Sequence, residues 1–417
     1  MFKKWNYGPT PLADYKTYVD EIVGDGFNAM KVHLPWAKVV SRNGTVDYTL
    51  FDQQVDYILS KGLRCAIGID LLRNFADGQD ALLSANDLMV DPAGRVNIWP
   101  ANQDLSQFAP SSQTAVARAA EFVSEATDRY HQRAGDGIVF YETTLSQYAE
   151  TEYWNGVYDP QTNTYVAGHY DYSAPAVSRF RDNLKTKYSS IGDLNSAWGT
   201  TYSSFADVQA PTDFAGQAGK DWYLYRHDML ATAVESLSTA IHDVSGTLRH
   251  SVRFGSTYDS LAPWRGTVLF PQLSQHADAV HVDDAPTYNH PFAMDLLGSS
   301  LPSCTWTGNE IDGPGSADDA TYLKQAAESF AHGATVLCVA NWGNLATLQA
   351  RRSLFQTIAA EYLNAKPIAL DPGLEVPVSA QELLATGSKP DQSTYDSLSG
   401  TGVKRIKVPL VDDLTRT

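Results

Sequence analysis

Ala29-Met30-Lys31-Val32-His33-Leu34 and Arg64-Cys65-Ala66-Ile67-Gly68-Ile69-Asp70 are the two runs on which the fold turns. Each is a short apolar strand pattern. Between them Leu50–Ser60 has helical spacing and is closed by Lys61-Gly62, a helix-stop signal. Strand, helix, strand in that order predicts parallel neighbours joined by a crossover helix. Outward from this unit the order repeats, with strand candidates at Trp5–Gly8, Ile138–Leu145, His250–Gly255, Ala279–Asp283, Cys304–Gly308 and Thr335–Asn341. Helix patterns lie at Leu12–Val23, Thr114–Arg133, Trp222–Val244, Ala317–Ala331 and Leu348–Leu363. Eight such strands predict an α/β fold, a closed (β/α)8 or TIM barrel, over residues 1–365.

The spacing is uneven. A long stretch, Leu71–Pro110, follows the third strand, and a longer one, with a helix pattern at Ala174–Lys187, follows the fourth. These predict long βα-loop insertions on the face where barrels carry their chemistry. Residues 366–417 shift toward Pro, Gly and Ser and read as a short C-terminal extension or the start of an accessory module. Their one alternating run, Gly402–Leu410, suits an edge strand carrying Pro409.

Composition narrows the partners. Lys plus Arg total 31 against 48 Asp plus Glu, a net charge of −17, which disfavours nucleic acid and anionic lipid. No apolar run reaches the length of a membrane span, and Met1–Trp5 leads into Asn6 and Pro9 rather than into a signal-peptide core. Nine Trp, 22 Tyr and 15 Phe exceed what a core needs and suit flat, hydroxyl-rich ligands, so the expected partner is an oligo- or polysaccharide. A polymeric substrate and the low Lys and Arg content point to an extracellular or periplasmic setting. Cys65, Cys304 and Cys338 lie in apolar runs without metal-ligand spacing and read as buried small hydrophobes; no cofactor is expected.

Period-two alternation sorts each strand into two faces. Met30, Val32, Leu34, Cys65, Ile67, Ile69, Val252, Phe254, Val280 and Val282 form the helix-facing set. That leaves Lys31, His33, Gly68, Asp70, Arg253, His281 and Asp283 inward, with Glu142 on the fourth strand and Glu310 beyond the seventh. Inward charges must be paired, because an isolated buried charge costs several kcal/mol. Lys31, Glu142 and Arg253 read as a deep structural layer, whereas Asp70, Asp283 and Glu310 reach the mouth as candidate substrate contacts or catalysts.

Glu310 ends Cys304-Thr305-Trp306-Thr307-Gly308-Asn309-Glu310, a position that suits a nucleophile. The fourth strand runs into Ser146-Gln147-Tyr148-Ala149-Glu150-Thr151-Glu152-Tyr153-Trp154, two carboxyls among aromatics, a setting that favours the protonated form and suits a general acid. A carboxylate from each strand facing across a barrel is what retaining glycoside hydrolysis requires.

At these residues the chain resembles a known group. Gly26-Phe27-Asn28-Ala29-Met30-Lys31-Val32, Leu34-Pro35-Trp36, Gly44-Thr45-Val46-Asp47-Tyr48 and Leu194-Asn195-Ser196-Ala197-Trp198-Gly199-Thr200 are similar to clan A glycoside hydrolases, particularly family 42 β-galactosidases. The resemblance implies a retaining β-glycosidase with two catalytic glutamates. It also implies an Asn before the acid/base, where this chain has Ala149 before Glu150 and Thr151 before Glu152. Aligning Tyr153 on the family's Asn-Glu-Tyr favours Glu152. The similar Ala-Gly-Glu-x-x-Tyr segment of β-amylases favours Glu150, which is preferred here with Glu152 left open. Trp342, in Val339-Ala340-Asn341-Trp342-Gly343, stands where the clan carries a sugar platform, with Trp36 and Tyr288 as further pocket candidates. A carbohydrate-binding barrel without catalysis, or an endo-acting polysaccharide hydrolase of the clan, is the alternative.

Overall fold

The computed structural model describes residues 1–4, 10–74, 80–96, 105–159, 164–284, 289–301, 304–311, 318–341, 345–362, 364–386 and 392–415. Eight parallel strands close into a barrel in chain order: β1 (Phe2–Lys4), β2 (Ala29–Pro35), β3 (Arg64–Asp70), β4 (Ile138–Thr144), β5 (His250–Phe254), β6 (Ala279–Asp284), β7 (Trp306–Ile311) and β8 (Val336–Asn341). Helices α1 (Leu12–Gly24), α2 (Thr49–Ser60), α3 (Gln113–Ala134), α4 (Gly216–His242), α5 (His290–Ser300), α6 (Asp319–Ala331) and α7 (Arg352–Tyr362) surround it. Side-chain caps set several starts: Ser112 Oγ accepts from Ala115 N at α3, and Asn289 Oδ1 accepts from Phe292 N at α5. Among the described residues no helix is long and apolar enough to cross a membrane.

The alternation sorts as the pattern requires. Met30, Val32, Leu34, Cys65, Ile67 and Ile69 are buried between sheet and helices, each such side chain contributing about 1.5–3 kcal/mol of transfer free energy. Register aligns the other face in rows: His33 lies opposite Gly68, Gly68 opposite Glu142, and Asp283 opposite Glu310, which faces Cys338. Cys65 and Cys338 are buried, Cys304 is half-buried, and all three are free thiols.

Some boundaries differ from the sequence reading. The first strand lies at Phe2–Lys4, and the run at Trp5–Gly8 falls outside the described residues. The seventh strand runs to Ile311, so Glu310 is a strand residue rather than the residue after one. The Leu348–Leu363 pattern divides at Arg351 into two helices, Leu345–Ala350 and α7. Helix α5 has no counterpart in the sequence reading because it is buried on nearly every side from His290 to Leu297, which leaves no polar stripe to mark it.

Between β3 and α3 an antiparallel pair forms from Leu72–Asn74 and Leu105–Gln107; between β4 and α4 lie a hairpin, Gly156–Asp159 with Thr164–Ala167, and helices Ala174–Lys187 and Ile191–Trp198. After α7, Leu370–Glu375 pairs with Arg405–Lys407 and Val378–Ser379 with Leu410–Val411, with helices Ala380–Thr386 and Gln392–Ser399 between. This segment is anchored on α5. The Asp295 carboxylate, buried, accepts from Tyr395 Oη (2.9 Å), Arg405 Nε (3.2 Å) and Ile406 N (3.1 Å), and His332 Nδ1 lies 3.0 Å away. Ser299 Oγ and Ser300 Oγ accept from Val408 N and Leu410 N.

Removing a buried charge from such a hub strands its partners. Asp295→Ala should lower stability by about 3–5 kcal/mol in denaturant unfolding. Amide exchange over residues 392–411 should accelerate first, and unchanged protection there would show that the anchor lies elsewhere.

Candidate active site

The deep layer of the barrel is an ionic cluster. Lys31 Nζ contacts Glu142 Oε1, and His281 Nδ1 lies 3.4 Å from Glu142 Oε2 and 3.0 Å from Ser251 Oγ, all fully buried. Long side chains cross here because their neighbours have none: a Cβ on Gly68 would stand 2.5 Å from Lys31 Cε, and one on Gly308 2.2 Å from His281 Cδ2. Burial alone would raise the Glu142 carboxyl, but Lys31, His281 and Arg253 outweigh it and hold the group well below its ordinary range. Asp70, one step higher, is bonded by His33 Nδ1 (2.9 Å) and Thr144 Oγ1 (2.8 Å). Burial opposes its ionisation, and His33 with the more distant Lys31 reverses that, so it too is held low.

Above this layer Arg253 of β5 ties two regions together. Its Nη1 contacts Glu310 Oε2, with both side chains 1% exposed. Its main chain faces the other way: Thr151 N donates to Arg253 O (2.5 Å), and Arg253 N donates to Thr151 Oγ1 (3.1 Å). Direct pairing of β4 with β5 covers only Tyr141 with His250 and Glu142 with Ser251. Beyond that the strands part and Thr151 fills the gap, its hydroxyl also donating to Thr143 O at 2.6 Å.

Thr151 returns to the barrel through a tight reversal. Leu145 N and Ser146 N both donate to Glu150 O (2.8 and 2.9 Å), and Ala149 sits at φ 60°, a left-handed conformation costing a residue with a Cβ about 1–2 kcal/mol. The turn delivers two buried carboxyls. Glu150 Oε2 accepts from Ser146 Oγ at 2.9 Å. Glu152 Oε1 lies 2.6 Å from Arg265 Nη1, and its Oε2 accepts from Gly255 N at 3.0 Å. Burial pushes Glu152 up, Arg265 opposes this, and Glu150 and Asp259 add to the rise, so the carboxyl titrates well above its ordinary range.

The structure therefore brings Glu310, Glu150 and Asp70 to the C-terminal ends of the strands. Trp36 is a correction: it leaves β2 in the short helical turn Trp36–Val39 and is fully buried, stacked on Phe122 of α3 at 5.7 Å with the Arg73 guanidinium 5.1 Å from its ring. Its faces are occupied by protein. Asp283 lies on β6, while Tyr288 and Trp342 lie outside the described residues. Arg265 went unread in the sequence, although it is the one charge in the run Leu261-Ala262-Pro263-Trp264-Arg265-Gly266-Thr267-Val268-Leu269-Phe270. The half-buried Tyr148 packs edge-on against Trp154 (4.3 Å) beside Glu150. A cavity of about 360 Å³ lies at the opposite end of the barrel, lined by Phe27, Trp306, Leu337 and Phe355, and contains none of these carboxyls.

In fold the chain resembles the barrels of clan A glycoside hydrolases, in particular the family 42 β-galactosidases. Residues 161–346 match the family model Glyco_hydro_42, described as beta-galactosidase. The thermophilic beta-amylase of Thermoanaerobacterium thermosulfurigenes is 23% identical over 149 residues, covering 34% of this chain and 26% of that protein. The matched stretches thus span about a quarter of the length of the curated relatives. Among solved structures, the beta-galactosidase of Halorubrum lacusprofundi has a TM-score of 0.70 at 14% identity, covering 100% of this chain and 68% of that one. The catalytic domain of beta-amylase from Paenibacillus polymyxa has a TM-score of 0.67 at 13% identity, covering 86% and 97%.

Because Glu142 and Asp70 titrate lower when folded than unfolded, they stabilise the fold above the ordinary carboxylate range, and this is lost as pH falls through their folded-state values. Glu142→Gln should cost about 3–5 kcal/mol at neutral pH by stranding Lys31. It should also flatten the loss of stability on acidification. Denaturant midpoints at neutral and acidic pH measure both, and an acid dependence as steep as that of the parent would contradict the assignment.

Proposed function

We propose that this protein is a retaining β-glycosidase of β-galactosidase-like type, acting on an oligo- or polysaccharide by double displacement with Glu310 as nucleophile and Glu150 as acid/base. One observation carries the reading: two buried carboxylate centres, each held by its own arginine, stand at the same end of one barrel and are joined through β5. Glu150 is favoured over Glu152 because both Glu152 oxygens are engaged, by Gly255 N and Arg265, in a fully buried position. The buried Glu150 carboxyl accepts from Ser146 Oγ, and its Oε1 lies 3.0 Å from where a Cβ on the partly exposed Gly255 would stand.

In the first step a Glu310 oxygen attacks the anomeric carbon as the bond to the leaving oxygen breaks, and Glu150 gives that oxygen its proton. The products are a glycosyl ester and a free alcohol. In the second, the Glu150 carboxylate takes a proton from water, the water oxygen bonds to the anomeric carbon, and the ester electrons return to Glu310. Arg253 offsets the charge of Glu310 before attack, when it is a carboxylate, and orients it through Nη1.

A second reading, hydrolysis of an amylose-like glucan, is favoured by the sequence match to beta-amylases. The anomer first released separates the two: retention supports double displacement, and inversion shows direct attack by water.

Glu310→Gln should remove nearly all turnover in a protein that still folds, with a stability loss of about 3–5 kcal/mol from stranding Arg253. A 2-deoxy-2-fluoro glycoside of an accepted sugar should label Glu310, and labelling of another residue would relocate the nucleophile. Glu150→Ala should slow unactivated glycosides about 10²–10⁴-fold, spare activated aryl glycosides and be rescued by azide. If Glu152→Ala shows that pattern instead, the acid/base is Glu152.

A further inference from the structure

The turn after β4 is braced by the insertion between β3 and α3 as well as by β5. Gln107, fully buried, ends the strand Leu105–Gln107 of that insertion and pairs with Leu72, two residues beyond Asp70. Its Nε2 donates to Glu152 O at 2.8 Å, and its Oε1 accepts from Trp154 N at 3.1 Å. A main-chain carbonyl only accepts and a main-chain N–H only donates, so these partners fix which end of the amide is which. The other edge of the same segment is held from β5 and the chain after it: Thr151 N donates to Arg253 O, and Tyr153 N donates to Arg265 O at 3.0 Å. Residues 151–154 are thus held along both edges, and on the insertion side one side-chain amide takes the place of a neighbouring peptide group. Gln147, within the turn, adds a second tie by donating from Nε2 to Leu105 O at 3.3 Å.

We propose that Gln107 is a positioning residue for the acid/base of the fourth-strand turn, fixing through Glu152 and Trp154 the main chain that carries Glu150. This rests on the acid/base role of Glu150 given above. Gln107 itself moves no proton, because its amide is uncharged and both ends of it are engaged by main chain. Its influence reaches Glu150 by two routes. Along the chain, the clamped Glu152 carbonyl lies two residues from Glu150, whose own carbonyl is held by Leu145 N and Ser146 N. Through packing, the clamp on Trp154 N fixes the root of the ring that meets Tyr148 edge-on at 4.3 Å. Tyr148 stands close to Glu150: burial raises its hydroxyl, and the Glu150 charge adds to the rise. A general acid must hold its proton in line with the leaving oxygen, and a displacement of about 1 Å costs about 10²-fold in rate. The insertion after β3 thereby contributes to proton transfer without touching the substrate.

The test is kcat/KM for glycosides of one accepted sugar across a series of leaving groups. Gln107→Met keeps the volume and removes both bonds. It should slow poor leaving groups about 10-fold or more, while activated aryl glycosides, which need little protonation, change less than about threefold. A purely structural staple would lower both classes alike, through the fraction of protein that is folded. In a Glu150→Ala background the acid is already gone, so adding Gln107→Met should cost poor leaving groups no more than about threefold further, and the two losses should fall well short of multiplying. Gln107→Asn, a neutral amide one methylene too short to span both atoms, should show the same selectivity and keeps the test open if Gln107→Met fails to fold. An unchanged rate on poor leaving groups in a folded variant, equal losses on both classes, or the full loss repeated in Glu150→Ala overturns the proposal. Azide rescue of Glu152→Ala but not of Glu150→Ala overturns the underlying acid/base assignment instead, so the two failures are distinguishable.

Discussion

Arg253 is the constraint on which the site depends. Its main chain takes Thr151 where β4 and β5 part, and its side chain crosses the interior to Glu310 on β7. Parallel neighbours cannot be slid independently, because each ladder fixes the next, so one residue on β5 sets the height of both carboxylate centres relative to the barrel. The ionic layer beneath supports it. Glu142 is buried with Lys31 and His281, and Arg253 adds to the cations that hold it ionised. Moving Arg253 down would crowd that layer, and moving it up would break its bonds with Thr151.

Much of this was legible in the sequence because strand alternation is a geometric rule. Once Met30, Val32 and Leu34 are assigned to the helix side, Lys31 and His33 must face the axis, and the structure buries Lys31 and half-buries His33. The same step placed Arg253, His281 and Glu310. What alternation does not encode is a return of the chain. Thr151 occupies a strand-like position through a reversal that includes a left-handed alanine, and nothing in Ser146-Gln147-Tyr148-Ala149 marks such a turn. Trp36 failed for a related reason. An aromatic just past a strand suits a rim, but a helical turn begins at that residue and carries the ring under α3.

The C-terminal segment shows a similar limit. Its strands are two or three residues long where they pair, and its attachment runs through Asp295, a carboxylate inside a helix that lacks an amphipathic stripe. A composition shift toward Pro, Gly and Ser marks where the alternating pattern of strands and helices ends. It says nothing of the tyrosine, arginine and main-chain donors that converge on one buried oxygen pair.

Charge pairing then divides the labour among the glutamates. Lys31 pairs with Glu142, Arg253 with Glu310 and Arg265 with Glu152. A carboxylate with its own cation is suited to remain an anion, the state a nucleophile needs. On the fourth-strand turn burial raises the Glu152 carboxyl and Glu150 and Asp259 add to the rise, so Arg265 does not bring it back to its ordinary range. A further lysine or arginine beside Gly255, whose N–H donates to Glu152, would oppose that rise by favouring the ionised carboxylate.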